Sequence, residues 1–387
     1  MTDRDRRSLL RAAVAGSVAA VPAAGIASLL AAPASQAATV TGPYTWVGPA
    51  GSGAPYEVDN AAGAQVAVNA ALQAIGQGEV LIAGGTYPVK GPVVIGDHQS
   101  LRGAGPLSTL LKAVSGYSGG AMVQTPSGTF TGSRMCLADF GLEAAHLAPN
   151  GVNLQIAAAP SSYGPDPNPW LSRLFVSNTT GDGIVLGGAY SGGQREYKIA
   201  ECRVEHAGGW CYNLGSSDGF VGMCSAQGGL SGGYNLSAGN VKVFGCKVYG
   251  SGDGATPGPG FRTAARVTMA GCEAQDTLGC GYEILGRGSV VSGCTADSTG
   301  VGTAGTDRYS AGFYVGASVV TLDGAAYQRP GGGATWIGAA GMRWSLMLAS
   351  GVDYVMARLV SDPNRPAPYQ GTVSGTAGAH SSVTVLG

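Results

Sequence analysis

The chain has 387 residues, of which 67 are glycine, 44% are apolar and only 12% are charged. Disordered chains are poor in apolar residues and rich in charge, so this composition excludes disorder and indicates a globular protein. The formal net charge is −1 at pH 7, and no basic run interleaved with aromatic residues occurs, which argues against a nucleic-acid partner.

The first 37 residues have the anatomy of a secretory signal peptide. A basic beginning leads into a weakly apolar stretch of Ala, Val and Leu, which ends in small residues at Ala37. The run DRRSLLR, from Asp5 to Arg11, resembles the twin-arginine export motif. Glycine and proline interrupt the apolar stretch, and no later segment reaches the ~18 apolar residues that span a bilayer. We therefore expect cleavage after Ala37 and a secreted protein, away from the membrane, whose residues 38–387 form one domain.

A short motif that contains cysteine recurs at a nearly constant interval in the middle of the chain. The intervals are 22, 22, 26 and 22 residues, at Cys202, Cys224, Cys246, Cys272 and Cys294. Leu142 and Leu174 extend this column upstream, and Gly324 extends it downstream. A second column follows about ten residues later, at Val152, Ile184, Tyr212, Tyr234, Phe261, Tyr282 and Phe313. Two columns that keep step through loops of different length indicate a repeat architecture.

The repeat has the pattern of a short strand. Apolar and polar residues alternate after each cysteine, as in CRVE (202–205), and Gly, Asn, Asp or Ser closes each run. One turn of chain per ~22 residues predicts a solenoid of stacked parallel sheets, in which equivalent residues of adjacent coils lie ~4.8 Å apart. The cysteines then form an internal ladder, and the Tyr/Phe column forms a second stack.

The segment GEVLIAGGTYPVKGPVVIGDHQSLRGAGPLSTLLKA (Gly78–Ala113) resembles the opening coils of the pectate-lyase-like right-handed β-helix superfamily. Residues 64–75 have helical apolar spacing and are similar to the N-terminal capping helix of that superfamily. The resemblance implies an all-β fold, a right-handed parallel β-helix of roughly a dozen coils with this helix as its cap. Members of the superfamily include lyases, hydrolases, epimerases, fructotransferases and non-enzymes, so the resemblance does not fix an activity.

The eight cysteines are expected to be reduced and buried. The repeat makes the side chains of the column parallel, and five in a row cannot all pair. No C-x-x-C and no His-flanked cluster occurs, so we predict no zinc site and no cofactor. Calcium at Asp253, in the run GSGDG (250–254), is left open, although one acidic ligand is fewer than such sites usually recruit.

Our preferred prediction is a polysaccharide lyase that cleaves an acidic, uronic-acid-containing polymer by β-elimination. In the predicted register the outward side chains of two coils, roughly 9.6 Å apart, bring together a cation, a base and a proton donor. Arg203 or Lys247 would neutralise the substrate carboxylate. His206 or Tyr249 would act as the base, and Glu205 would orient His206. The competing interpretation is a solvated outer face on which Arg203–Glu205 and Lys247–Glu273 form ion pairs.

The alternative enzyme is a glycoside hydrolase or a fructotransferase-type enzyme of the same fold. Glycoside hydrolysis needs two carboxyl groups, about 5–5.5 Å apart for retention or about 6.5–9.5 Å for inversion. Glu273, Asp276 and Asp297 lie on adjacent coils and satisfy either spacing. The run TGDG (180–183) is interpreted as ordinary turn chemistry.

Four further residues are predicted to bind substrate: Arg262 and Glu283 on the second outward strand, and Trp170 and Tyr309 (with its neighbour Arg308) on loops that wall the groove. From a different class, a non-catalytic carbohydrate-binding or surface β-helix protein fits the same pattern. A polysaccharide or oligosaccharide is the expected partner in each case, and assembly into a homo-oligomer stays open.

Overall fold

The computed structural model describes residues 44–126, 134–155, 169–187, 196–253, 257–300, 308–329, 342–362 and 371–387. The predicted signal segment, residues 1–37, lies outside these ranges. No helix within them has the length and apolar character needed to cross a membrane.

The chain winds into a right-handed parallel β-helix, which confirms the predicted fold. Each complete coil contributes three strands, and every strand pairs in parallel with its equivalents on adjacent coils. The first ladder consists of Tyr44–Pro49, Gly78–Ile82, Gln99–Arg102, Cys136–Ala138, Trp170–Ser172, Lys198–Ala200, Phe220–Gly222, Val241–Phe244 and Val267–Ala270. The second ladder consists of Gly85–Val89, Thr109–Ala113, Gly141–Glu143, Phe175–Ser177, Arg203–Glu205, Ser225–Gln227, Lys247–Tyr249 and Glu273–Gln275.

The first two ladders merge in the last coils. There single long strands run through both, at Val290–Asp297, Val320–Tyr327, Val355–Ser361 and Ser382–Leu386. The third ladder has eleven strands: Val93–Val94, Ala121–Gln124, Asn150–Gln155, Ile184–Gly187, Trp210–Leu214, Gly232–Leu236, Phe261–Thr263, Tyr282–Ile284, Ala311–Val315, Trp344–Leu348 and Gly371–Ser374. A short strand, Tyr56–Val58, pairs with the end of Tyr44–Pro49, and a 3-10 turn spans Arg308–Ser310.

The predicted helix runs from Ala64 to Ile75 and closes the N-terminal end of the solenoid. It buries Val68 and Leu72 against the first strands. Its last turn ends at Gly76, which has φ 64° and donates its N–H to the Leu72 carbonyl. The helix thus covers apolar residues of the first coil that would otherwise face water.

The cysteine column lies inside the solenoid, as predicted. The residue that follows each cysteine of the column pairs with its equivalent on the next coil, in the order Arg203↔Ser225↔Lys247↔Glu273↔Thr295, so the five cysteines lie one above another. Gly324 pairs with Cys294 at the end of the column. All eight cysteines are free thiols. Each thiol of the column lies near the carbonyl oxygen two residues earlier, at 3.2 Å for Cys224 and 3.5 Å for Cys246. A thiol is a small apolar group with a weak S–H donor, which suits this buried position between the first and second ladders.

The upstream end of the predicted column is shifted by two residues. Gly141 pairs with Phe175, so Phe140, and not Leu142, precedes the strand at the level of Leu174. Leu142 instead pairs with Val176. Both Phe140 and Leu142 are buried, because side chains two apart on a strand point to the same face. A period of two therefore cannot distinguish these two registers.

The second predicted column is a continuous stack of aromatic rings. Ring centroids of Tyr212, Tyr234, Phe261, Tyr282 and Phe313 follow one another at 4.5, 4.8, 5.1 and 4.7 Å, and adjacent rings are within 8° of parallel. All five side chains are fully buried. Parallel pairing imposes this geometry, because it places identical positions directly above one another.

Two tyrosines of this stack differ in what their hydroxyl groups contact. The Tyr282 hydroxyl donates to the carbonyls of Cys272 (2.7 Å) and Thr295 (3.0 Å), whereas the Tyr234 hydroxyl has no hydrogen-bond partner among the described residues. We predict that Tyr282→Phe lowers the free energy of unfolding by about 1 kcal/mol, because the carbonyls of Cys272 and Thr295 each lose a hydrogen bond. Tyr234→Phe, the matched control, should be neutral or stabilising. Equal losses in denaturant-induced unfolding would contradict this difference.

Cys136 is the one cysteine of the described chain that is not fully buried. Burial raises the pKa of its thiol, an effect only partly offset by the nearby Arg102 guanidinium. Because the thiolate is the reactive form, labelling of the folded protein should be slow at neutral pH and accelerate as pH rises. We expect at most one thiol to react before unfolding and none in Cys136→Ser, with all eight reacting in denaturant. Rapid labelling of several thiols in the folded protein would contradict the burial of the column.

Candidate functional site

Two adjoining surfaces hold the most elaborate polar contacts of the described chain. The third-ladder face is the outward column of that ladder, whose members are Asn153, Val185, Asn213, Asn235, Arg262, Glu283, Tyr314 and Met347. The corner is the region where the chain leaves the second ladder for the third. Three excursions from the sequence repeat, within residues 250–260, 300–310 and 329–343, have their described ends there. Loops set around a rigid scaffold commonly carry function.

Glu283 is the centre of the third-ladder face. Its side chain points outward from Tyr282–Ile284, yet the residue is only 1% exposed. Arg262 covers it from the preceding coil, with Nε 3.4 Å from Oε2, and Arg308 covers it from the corner, with Nε 3.1 Å from Oε1. Neither Arg262 Nε nor Glu283 Oε1 has a hydrogen-bond partner among the described residues. Among the described residues, two guanidinium groups thus share one carboxylate, which is an excess of one positive charge.

Arg308 also holds the neighbouring phenol. Its Nη2 donates to Tyr309 Oη at 2.9 Å, and its Cζ lies 4.9 Å from the centre of the Tyr309 ring. This hydrogen bond, followed by the charge of Glu283, raises the pKa of Arg308 against the opposing effect of burial. The structure therefore brings three predicted substrate-binding residues, Arg262, Glu283 and Tyr309, into one group.

A second charged cluster lies at the corner. Arg329 bridges two carboxylates of adjacent coils: its Nη2 lies 2.6 Å from Asp276 Oδ2, and its Nε lies 2.8 Å from Asp297. Asp276 is 8% exposed and Asp297 is 2% exposed. The Tyr327 hydroxyl and the Ser298 hydroxyl donate to Asp297 at 3.2 and 2.8 Å. The cluster carries one net negative charge and holds Arg329, the last described residue before the third excursion.

The pKa shifts agree with this arrangement. Burial opposes the charge of Arg329, but its hydrogen bonds to Asp276 and Asp297 outweigh burial and raise its pKa further above the usual range. Burial, followed by the charge of Asp297, raises the pKa of Tyr327. The guanidinium of Arg329 thus forms charge-assisted contacts with both carboxylates.

The residues of the preferred lyase prediction lie on the second ladder, in the register that the sequence predicted. Arg203 forms an ion pair with Glu205 on its own strand, and Lys247 forms one with Glu273, 3.2 Å away on the next coil. Arg203 and Glu205 also line a shallow cleft of about 330 Å³, together with Leu107 and other apolar residues. The ion pairs of the competing interpretation are thus present in the structure, and both cations of the predicted centre already have carboxylate partners.

The other members of that set are spread along the ladder. His206 ends its strand with φ 53°, and its ring lies over Gly228, where an added Cβ would approach Cδ2 at 3.1 Å. No hydrogen bond joins Glu205 to His206 in the described part of the chain. Tyr249 lies two coils further along. Trp170 lies on the first ladder, beneath Lys198, so the structure does not bring it to Glu283.

The described residues contain no group of three or more His, Cys, Asp or Glu side chains arranged to hold a metal ion. Asp253 lies within the described ranges, but Gly254, the last residue of its run, does not. The calcium prediction therefore stays a prediction.

Sequence reasoning missed two residues of the site. Arg329 lies two residues after the end of a strand and outside the repeat. No sequence pattern predicts its contacts with Asp276 and Asp297. Asp182 was interpreted as a turn residue, and it does sit in the turn before Ile184–Gly187. Its carboxylate also contacts the third-ladder face: Oδ1 accepts the Trp210 N–H at 2.7 Å, and Oδ2 accepts the Asn213 amide at 2.8 Å.

No protein-family model and no curated protein matches the chain. Solved structures do match it. The A-module of Azotobacter vinelandii mannuronan C-5 epimerase AlgE6 superposes with a TM-score of 0.52 at 15% identity, over 83% of this chain and 94% of that one. The catalytic domain of a GH87 alpha-1,3-glucanase gives 0.51 at 13% identity, over 83% and 66%. The gp42 tailspike of Acinetobacter phage vb_AbaP_AS12 gives 0.50 at 13% identity, over 83% and 59%. At these identities the likeness concerns the parallel β-helix fold alone.

Arg329 offers a direct test of the corner. Arg329→Met would leave two buried carboxylates without their cation, and we expect the free energy of unfolding to fall by about 3–5 kcal/mol at neutral pH. The matched control is Arg358→Met, whose ion pair with Asp323 is solvent-exposed (75% and 51%) and should contribute less than about 1 kcal/mol. A loss for Arg329→Met no larger than the control would contradict the bridge.

Proposed function

We propose that the chain is a carbohydrate-active enzyme that acts on an acidic, uronic-acid-containing polysaccharide at the third-ladder face. The observation that carries the proposal is the buried Glu283 between Arg262 and Arg308. A buried carboxylate costs free energy unless it is paired, and here it holds two guanidinium groups on an outward surface. Their excess positive charge suits the carboxylate of a uronate, which guanidinium binds in a bidentate manner.

The proposed reaction is β-elimination, the preferred prediction from the sequence, moved to this face. Removal of the proton at C-5 of a uronate places negative charge on its carboxylate, which Arg262 and Arg308 would stabilise. The electron pair forms the C-4–C-5 double bond, and the glycosidic oxygen at C-4 leaves and takes up a proton. Tyr309 is the proposed proton-transfer group: its oxygen, as a phenolate stabilised by the hydrogen bond from Arg308, would accept the C-5 proton and return it to the departing C-4 oxygen.

The hydrolytic alternative has weaker support. Asp276 and Asp297 are close enough in register for a carboxylate pair, but both are bound to Arg329. Arg329 therefore occupies carboxylate oxygens that a pair of catalytic acids would have to present to the substrate. The second-ladder set also has weaker support, since Arg203 and Lys247 are each balanced by a glutamate.

The fold is compatible with this proposal, because a protein of similar fold bears the name mannuronan C-5 epimerase. Epimerisation at C-5 and β-elimination both begin with loss of the same proton: epimerisation then returns a proton to C-5, whereas elimination expels the oxygen at C-4. Residues 1–37 support export through the twin-arginine route, which would place the enzyme where polysaccharides are found. The superfamily suggested by the sequence, pectate-lyase-like β-helix proteins, fits the same proposal.

The activity test uses the chain from Ala38 onward with uronic-acid and neutral polysaccharides, with and without calcium. Ultraviolet absorbance, reducing ends and incorporation of solvent deuterium at C-5 are followed together. Absorbance that rises with reducing ends would establish elimination, and deuterium incorporation without new ends would indicate epimerisation. Reducing ends without absorbance would support the hydrolase alternative. Binding without any turnover would leave a carbohydrate-binding protein.

Variants locate the centre. We expect Arg308→Ala and Arg262→Ala to lower kcat/KM by about 10²-fold, because each removes a charge that stabilises the developing anion. Tyr309→Phe should lower kcat and leave KM little changed. Arg358→Ala, on an exposed ion pair away from this face, is the control and should retain full activity. A comparable loss in Lys247→Ala or His206→Ala, with Arg308→Ala fully active, would return the centre to the second ladder.

A further inference from the structure

The third-ladder face continues from Arg262 toward the N-terminus as a line of amides with a fixed direction. Asn235 Nδ2 donates to Asn213 Oδ1 at 3.0 Å, and Asn213 Nδ2 donates to Asp182 Oδ2 at 2.8 Å. An ionised carboxylate only accepts hydrogen bonds, so Asp182 forces Asn213 to point its NH₂ group toward it. Asn213 must then present its oxygen to Asn235. We call these two asparagines the amide array.

Asp182 occupies a site shaped for its carboxylate. Its backbone N–H donates to Asn150 Oδ1 at 3.0 Å, and its Oδ1 accepts the Trp210 N–H at 2.7 Å. A Cβ added to Gly209 would lie 2.2 Å from Oδ1, so only glycine leaves room for the carboxylate on the next coil. Contacts on both neighbouring coils thus fix the group that sets the direction of the array.

The array ends beside the proposed reaction centre. Asn235 pairs in register with Arg262, whose Nε has no hydrogen-bond partner among the described residues. Asn213 and Asn235 are half-buried, and in the described chain the Asn235 amide oxygen accepts no hydrogen bond. A carbonyl oxygen next to a guanidinium, both half-accessible, matches the donors and acceptors of sugar hydroxyl groups.

We infer that Asp182 is a positioning residue that fixes the amide array, and that Asn213 and Asn235 bind hydroxyl groups of the sugar units adjoining the one held at Glu283. The inference rests on the proposed function in one respect, that the face binds a carbohydrate. The ligand is then an extended oligosaccharide along the solenoid axis, with a carboxylate at Arg262 and Arg308 and only hydroxyl contacts over the array.

The discriminating variant is Asp182→Asn. Its Oδ1 can still accept the Trp210 N–H, but an NH₂ group would now face Asn213. Asn213 must turn its oxygen toward it, and Asn235 must then turn its oxygen toward Asn213. The array therefore reverses with almost no change in volume. The side-chain amide resonances of Asn213 and Asn235 should shift in NMR spectra, whereas those of Asn153 on the same ladder should not.

Binding is measured by calorimetry with oligogalacturonates, oligomannuronates and neutral gluco-oligosaccharides of two to six units. For the wild type, affinity should rise with length. Asp182→Asn should weaken binding of the longest oligomers by about tenfold and leave the dimers unchanged, since the lost contacts are remote from Glu283. In steady-state kinetics this appears as a higher KM for long substrates at constant kcat. Arg358→Ala, on an exposed ion pair outside the third-ladder face, is the control and should behave as the wild type.

The outcomes separate this inference from the proposed function. Length-dependent binding that Asp182→Asn weakens, without turnover of any substrate, would support the array and overturn the proposed reaction. Turnover with identical length dependence in wild type and Asp182→Asn would support the reaction and overturn the array. Equal weakening for dimers and hexamers would reveal a purely structural role for Asp182 and overturn the inference, as would a wild type that binds none of the oligosaccharides.

Discussion

Parallel pairing of successive coils is the constraint on which the rest of this molecule depends. It places each residue about 4.8 Å from its equivalents on the adjacent coils. Inside the solenoid this turns one cysteine into a column of thiols and one tyrosine into a stack of rings. Outside the solenoid, like charges at equivalent positions would repel each other. Two places on the surface avoid this repulsion, one by pairing opposite charges and one by sharing a cation between two carboxylates. Lys247 faces Glu273, and Asp276 and Asp297 share Arg329.

The same constraint makes the core of the fold readable from sequence. The intervals between cysteines, and the aromatic column that follows them, predicted the register of the second and third ladders across five coils, and the structure has that register. The coil with Leu142 was placed wrongly, because its neighbour Phe140 is equally apolar and lies on the same face. Hydrophobic periodicity predicts which face of a strand is buried, but it does not distinguish two pairing registers that differ by two residues.

The candidate site was only partly predictable, for a related reason. Arg262 and Glu283 belong to a repeated column, so the sequence placed them side by side on an outward face. Their third partner, Arg308, comes from an excursion that the repeat does not describe, as does Arg329. The conformation of such a segment depends on contacts that have no period. Glu283 is buried, unlike other outward charges, because Arg308 from outside the repeat covers it. The strand pattern alone does not predict this burial.

The thiol column has a consequence for how long the folded protein lasts. Its sulfur atoms contact the carbonyl oxygens two residues earlier only while they are reduced, and no disulfide joins the coils. If a coil opened in an oxidising medium, thiols about 22 residues apart in sequence would become able to form disulfides, and a pair so joined could not return to its two carbonyls. Opening would then be irreversible. In such a medium the lifetime of the fold would be set by the rate at which coils open, a kinetic barrier, and less by the equilibrium free energy of unfolding.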